Sequence, residues 1–172
     1  MNPAAYDAIE QAWEITKLVR SVFPSTPYAE GTFTEYESPS WYKEKEGTGG
    51  RISFFNPVPS KMLNETGKFV NESFIIYMMA ILEEFGIVPY NTQPDESRKG
   101  GEYVKLTKWY RNRFAHGESK FNPSKETHKE TRAIFEKLFP ELADITTGFP
   151  TSIDTVLPKL KDRVLEYIRA TT

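Results

Sequence analysis

The chain has 172 residues, with 22 basic and 24 acidic side chains, a formal charge of −2, and a composition that is 38% hydrophobic and 14% aromatic. That apolar content excludes disorder of the whole chain and suits one compact domain over 1–172. The near-balanced charge excludes a generally basic coat, so an anion site has to be a local patch.

Cysteine is absent and the only histidines are His116 and His128. Disulfide scaffolds, thiolate metal sites and cysteine nucleophiles are thereby removed, and a multi-histidine zinc centre is disfavoured. The start, Met1-Asn2-Pro3-Ala4-Ala5-Tyr6-Asp7, lacks the basic and apolar regions of a signal peptide. The longest apolar run, Phe74 to Leu82, is far short of the roughly 20 residues a bilayer requires. The expectation is a soluble, cytoplasmic protein with no membrane partner.

In chain order, residues 3–23 form the first expected helix. Ala5, Ile9, Ala12, Thr16, Val19 and Phe23 recur at steps of three or four, and Pro24 and Pro27 stop it. Residues 31–59 change character. Thr32 to Glu37 alternates with period two, and Arg51 to Phe55 is β-prone and ends at Asn56-Pro57, with a charged glycine-rich loop at 43–50 between them. A small β-hairpin or an irregular loop excursion fits that pattern. A second helix spans about residues 60–85, with Leu63, Val70, Phe74, Tyr77, Ile81 and Phe85 on one face and Ile75, Ile76, Met78 and Met79 on the others. A helix apolar all round is buried on several sides, in the core or against a second copy of the chain. Residues 86–101 read as a mobile connection. Three more helices follow at about 102–116, closed by Gly117, at 126–139, ended by Pro140, and at 158–170, where Leu160, Val164 and Ile168 share a side. The sum is a mainly α domain, a bundle of about five helices with the 31–59 excursion.

The third of these helices carries the candidate chemistry. At about 100° per residue, with Lys105 at zero, Leu106, Tyr110, Tyr103 and Phe114 fall between about 100° and 180° and face the core. Lys108, Asn112 and His116 fall within about 60° of Lys105, Trp109 stands beside them, and Arg113 and Arg111 flank the stripe. From Arg98 to Arg113 there are six basic residues and one acidic, Glu102, a footprint suited to phosphate. Trp109 is placed to stack on a base or simply to pack at the helix edge. Arg111 equally suits a salt bridge to Glu83, Glu84 or Glu102, and His116 a helix-end hydrogen bond. His128, among Lys125, Glu126, Lys129 and Glu130, reads as a solvated position.

The run Arg111-Asn112-Arg113-Phe114-Ala115-His116-Gly117 resembles the Arg-x4-His motif of the HEPN superfamily (higher eukaryotes and prokaryotes nucleotide-binding), in the form with Asn directly after Arg. The resemblance rests on about seven residues, and the 31–59 excursion has no counterpart in it. It implies a helical domain that forms a homodimer, with the two motifs meeting at the two-fold. Many members are endoribonucleases that need no metal ion or organic cofactor, and others keep the fold without activity. Carried onto this chain, Arg111 would neutralise the scissile phosphate of RNA, Asn112 would orient the histidine or substrate, and His116 would act as general acid and base. Lys105, Lys108, Trp109 and Arg113 would bind the strand. The resemblance points to a prokaryotic defence or toxin setting, with an antitoxin or a nuclease as candidate partner. The toxin–antitoxin branch has a tyrosine two residues after the histidine, where this chain has Glu118.

Physical chemistry supports the same set independently. Metal-free RNA cleavage needs a base for the 2′-hydroxyl, an acid for the leaving 5′-oxygen and a fixed cation beside the phosphorane. One His and one Arg supply half of that set, and a two-fold dimer supplies it all. Two readings follow: a HEPN-type endoribonuclease, or an inactive HEPN-like module that binds nucleic acid, a nucleotide or a partner, including an accessory domain of a restriction or abortive-infection system.

Overall fold

The computed structural model describes residues 2–23, 30–37, 51–115, 122, 124–143 and 153–170. Among them, six helices and a two-stranded antiparallel sheet make a mainly helical protein: α1 (Pro3–Val22), β1 (Thr32–Glu37), β2 (Arg51–Pro59), α2 (Ser60–Glu84), α3 (Gly101–Ala115), α4 (Glu126–Leu138), α5 (Pro140–Ala143) and α6 (Leu157–Ala170). No helix among the described residues is long and apolar enough to cross a membrane. The expected stops at Pro24 and Pro27, the 43–50 loop and the Gly117 cap lie outside the described residues. The chain divides into two compact units, residues 11–74 and residues 1–10 with 75–172, so α1 and α2 each contribute to both.

In the 11–74 unit, Trp13 and Phe74 meet with ring centroids 5.3 Å apart, and Leu63 is buried. Arg20 is fully buried, and its Nη1 donates to the Phe23 carbonyl at 2.8 Å, satisfying an acceptor just past the end of α1. The expected hairpin is present. β1 and β2 pair from Thr32↔Pro59 and Phe33↔Val58 to Glu35↔Ser53 and Glu37↔Arg51, with an irregularity between Phe33 and Glu35. β2 runs beyond Asn56-Pro57, where the sequence signals an end. Pro57 falls in the stretch between Ser53 and Val58 that the irregularity leaves without a ladder partner, and there its missing N–H costs nothing. Ser60 then ties the start of α2 to the sheet, its N–H donating to Gly31 O at 2.9 Å.

The larger unit holds most of the core. Its α1 segment starts at Pro3, with Asn2 Oδ1 accepting the Ala5 N–H at 3.1 Å, a proline-first, asparagine-capped helix start. α2 buries Ile75, Met78, Met79, Ile81 and Leu82, while Ile76, Tyr77 and Phe85 are exposed. The helix that the sequence reads as apolar all round is thus buried on part of its surface within the single chain. α3 packs against α4 and α6, and α4 against α5. Lys137 of α4 pairs with Glu102 of α3, and Lys159 of α6 donates to Leu138 O at the end of α4 at 2.8 Å. α6 buries Leu157, Leu160, Val164, Leu165, Tyr167 and Ile168. Pro140 does end α4, but it also opens the four-residue α5, because proline is tolerated in a first helical turn.

The 86–101 connection is an ordered succession of turns rather than the mobile segment its composition suggests. Gly86 sits at φ +65° as the left-handed residue ending α2, Ile87 and Val88 are buried, and the Asp95 N–H donates to the Tyr167 hydroxyl at 3.1 Å. Gly100 at φ +86° and Gly101 bring the chain into α3. A Cβ on Gly101 would stand 2.2 Å from Asp95 O, which makes glycine obligatory there.

Candidate nucleic-acid interface

α3 sets the site by burying one side and offering the other. Leu106 and Tyr110 are buried as expected, Tyr103 and Phe114 are half-buried, and Val104 and Thr107 widen the buried side. Tyr110 stacks on Phe114 at 5.6 Å, and burial raises the Tyr110 phenol well above the usual tyrosine range. The hydroxyl therefore stays protonated and neutral inside the unit.

The cations of the stripe are held by groups from other elements. Lys105 Nζ lies 2.7 Å from Glu96 Oε1, and Lys108 donates to the Thr92 carbonyl. Arg111 Nη2 is 3.1 Å from Glu83 Oε2 of α2, and its Nη1 donates to Asn112 Oδ1 at 2.9 Å. The absence of acidic residues within the stripe thus does not mean unpaired cations: Glu83 and Glu96 arrive by tertiary folding. Of the carboxylates weighed for Arg111, Glu83 is the one that pairs with it.

Trp109 and Arg113 form a wall rather than an open platform. The Arg113 guanidinium carbon lies 5.4 Å from the Trp109 ring centre, a cation–π contact, and Arg113 itself is buried. Trp109 also meets Tyr110 and His128 edge-on, both at 5.5 Å.

His128 is a correction to the sequence reading. It is buried, not solvated, and its Nδ1 accepts the Asn122 N–H at 3.0 Å, which places the ring proton on Nε2. Asn122 in turn takes the Ser124 N–H on Oδ1 and the Lys125 N–H on its carbonyl, shaping the turn that leads to α4. The signal that finds His128 is the spacing of His128, Thr131, Phe135 and Leu138, which are the buried residues of α4.

Between α3 and α4 lies a groove of about 330 Å³, with Lys105, Lys108, Trp109, Asn112 and Arg113 on the α3 side and Lys125, Thr127, His128, Glu130 and Thr131 on the other. All four residues expected to bind a strand, together with Asn112, line it. Arg111 is absent from that lining but is bonded to Asn112, which is in it. His116 lies outside the described residues. Among the described residues no group of three or more candidate ligands could hold a metal ion. The chain matches no protein-family model, no curated protein and no solved structure.

Proposed function

We propose that the protein is a metal-independent endoribonuclease of HEPN type that acts as a homodimer on RNA. The observation that carries this reading is the Arg111–Asn112 pair at the edge of a groove bordered by four cations. The guanidinium has five N–H donors, and Glu83 and Asn112 engage one amino group each, so capacity for a phosphate remains. In the proposed reaction His116 of one copy takes the 2′-hydroxyl proton as that oxygen attacks phosphorus. The second His116 protonates the departing 5′-oxygen, and Arg111 holds the developing phosphorane charge. The products are a 2′,3′-cyclic phosphate and a 5′-hydroxyl.

The two-fold contact is assigned to the exposed side of α2. Ile76 and Tyr77 are 37% and 51% exposed, and Ile76, Ala80 and Glu83 share one face of the helix at steps of four and three. A second copy seated on that face would meet next to the carboxylate that holds Arg111. The test is incubation of structured and single-stranded RNA with the protein in EDTA, followed by end-group analysis. Cyclic-phosphate ends from the native chain and none from His116→Ala are expected. Strict dependence on added Mg²⁺, or a monomer that cleaves, would overturn the mechanism.

One observation favours a second reading, a module that binds RNA without cutting it. The Glu83 carboxylate neutralises the very guanidinium that the chemistry needs. RNA retained by the protein with its length unchanged would select this reading.

A further inference from the structure

We infer that the groove between α3 and α4 is a second phosphate subsite, holding a backbone phosphate of single-stranded RNA that flanks the bond to be cut. The inference deepens the ribonuclease reading and rests on it. Its ligand class follows from the walls. Lys105, Lys108, Arg113 and Lys125 line the groove beside one carboxylate, Glu130, and a second, Glu96, reaches Lys105 from outside the lining. The indole of Trp109 in the lining is already covered by Arg113 and His128, whereas an anion meets more cations than acids.

The four cations are not equivalent. Arg113 is buried and spread over Trp109, so it supplies fixed positive potential from the groove wall. Lys105 and Lys108 are half-buried, long-stemmed, and held by the carboxylate of Glu96 and the carbonyl of Thr92. A phosphate can displace either of these surface partners, because such contacts are individually weak. Lys125, exposed on the opposite side, is set in place by the Asn122 turn that the buried His128 fixes. His128 is accordingly a positioning residue of this subsite.

A strand rather than a free nucleotide is the occupant for a geometric reason. Asn112 is shared: it lines the groove, and its Oδ1 accepts from Arg111. A phosphodiester at Arg111 therefore has its neighbour delivered towards the groove. Trp109 already carries Arg113 and His128 against it, so tight capture of an isolated base by stacking is not what this groove provides.

The test measures binding of a fluorescein-labelled, fully 2′-O-methylated RNA 12-mer, which cannot be cleaved, as a function of salt. Each phosphate contact to a single strand contributes about 0.7 to the log–log salt slope. Lys108→Ala with Lys125→Ala is expected to reduce the slope by about 0.7, the share of the one phosphate held there, and to weaken binding at least fivefold at 0.1 M salt. Lys61→Ala with Lys68→Ala removes the same charge from exposed positions on α2 and is expected to leave the slope unchanged. Equal effects of the two pairs would overturn the subsite while leaving the ribonuclease reading intact. Saturable micromolar binding of adenosine 5′-monophosphate would overturn the choice of a strand. Failure of the native protein to bind the 12-mer at all, with its RNA cleavage in EDTA also absent, would overturn the ribonuclease reading and the subsite together.

Discussion

Arg111 on α3 is held by Glu83 on α2, guanidinium to carboxylate at 3.1 Å, with the two side chains only 25% and 15% exposed. The pair joins two helices and at the same time cancels a positive charge where phosphate is proposed to bind. Glu83→Gln keeps the size and one hydrogen-bonding oxygen but removes the negative charge. RNA affinity, measured by fluorescence anisotropy at 0.1 M salt, is expected to rise about threefold to tenfold. The loss of folding stability should stay near 1 kcal/mol or below, as for a partly exposed ion pair. Weaker RNA binding in this variant would mean that Glu83 serves chiefly to aim Arg111.

Gly67 makes room for a buried arginine. A Cβ built on Gly67 would stand 1.5 Å from Arg20 Nη1 and 2.6 Å from the guanidinium carbon, so the two cannot coexist without displacing a fully buried charged side chain. Gly67→Ala is expected to cost about 2–3 kcal/mol in urea unfolding despite its favourable helix propensity. Adding Arg20→Ala to that variant should cost much less than Arg20→Ala costs alone, since the clash is already relieved. Strictly additive losses would show that the two sites do not compete for the same space.

Much of the fold was legible because it is written locally. The apolar steps of Ala5 and Ile9 and of Leu160, Val164 and Ile168 repeat every three or four residues, and each of these residues is buried. Pro140 located the end of α4 to within a residue or two. What escaped the sequence depended on space rather than on neighbours along the chain. Pro140 signals both an end and a start, and only packing decides that α5 forms. Periodicity put Tyr77 and Phe85 on one face of α2 but could not say what covers it, and both are exposed in the single chain. The stripe on α3 was legible as a set of residues, and the groove indeed collects Lys105, Lys108, Trp109, Asn112 and Arg113. Of its partners, Glu83 was one of three carboxylates the sequence offered to Arg111 and folding selects it, whereas Glu96, 9 residues from Lys105, was not legible. His128 was hidden by its charged sequence neighbours, which point outward while it alone of that turn faces in.

The buried imidazole of His128 is expected to matter for the fold as well as for RNA. His128→Ala removes the acceptor of the Asn122 N–H and an edge-to-face partner of Trp109. The cost of losing a buried hydrogen-bond partner and its packing is about 2 kcal/mol. Hydrogen exchange should show the loss first at the Asn122 amide and in the opening turn of α4, with α6 following only near global unfolding. Unchanged protection at Asn122 would remove His128 from its positioning role.

The turn leading into α3 should respond to acid. Asp95 Oδ1 accepts both the Ser97 hydroxyl at 2.6 Å and the Ser97 N–H at 3.0 Å, and Arg98 lies 3.1 Å from its other oxygen. These contacts, the Ser97 hydroxyl foremost, hold the Asp95 carboxyl below its ordinary value. Because the folded protein favours the ionised form, the contribution to stability is complete above the ordinary aspartate range near 3.9. It drains away as pH falls through the lowered native value. The backbone carbonyl of this same residue is the atom that crowds Gly101, so protonation loosens the turn on which α3 begins. Carbon-detected NMR titration is expected to place the Asp95 midpoint below that of an unstructured aspartate. Ser97→Ala should return it towards the ordinary value, with hydrogen exchange in the first turn of α3 accelerating at higher pH than in the native chain. A midpoint that Ser97→Ala leaves unmoved would assign the shift to Arg98 instead.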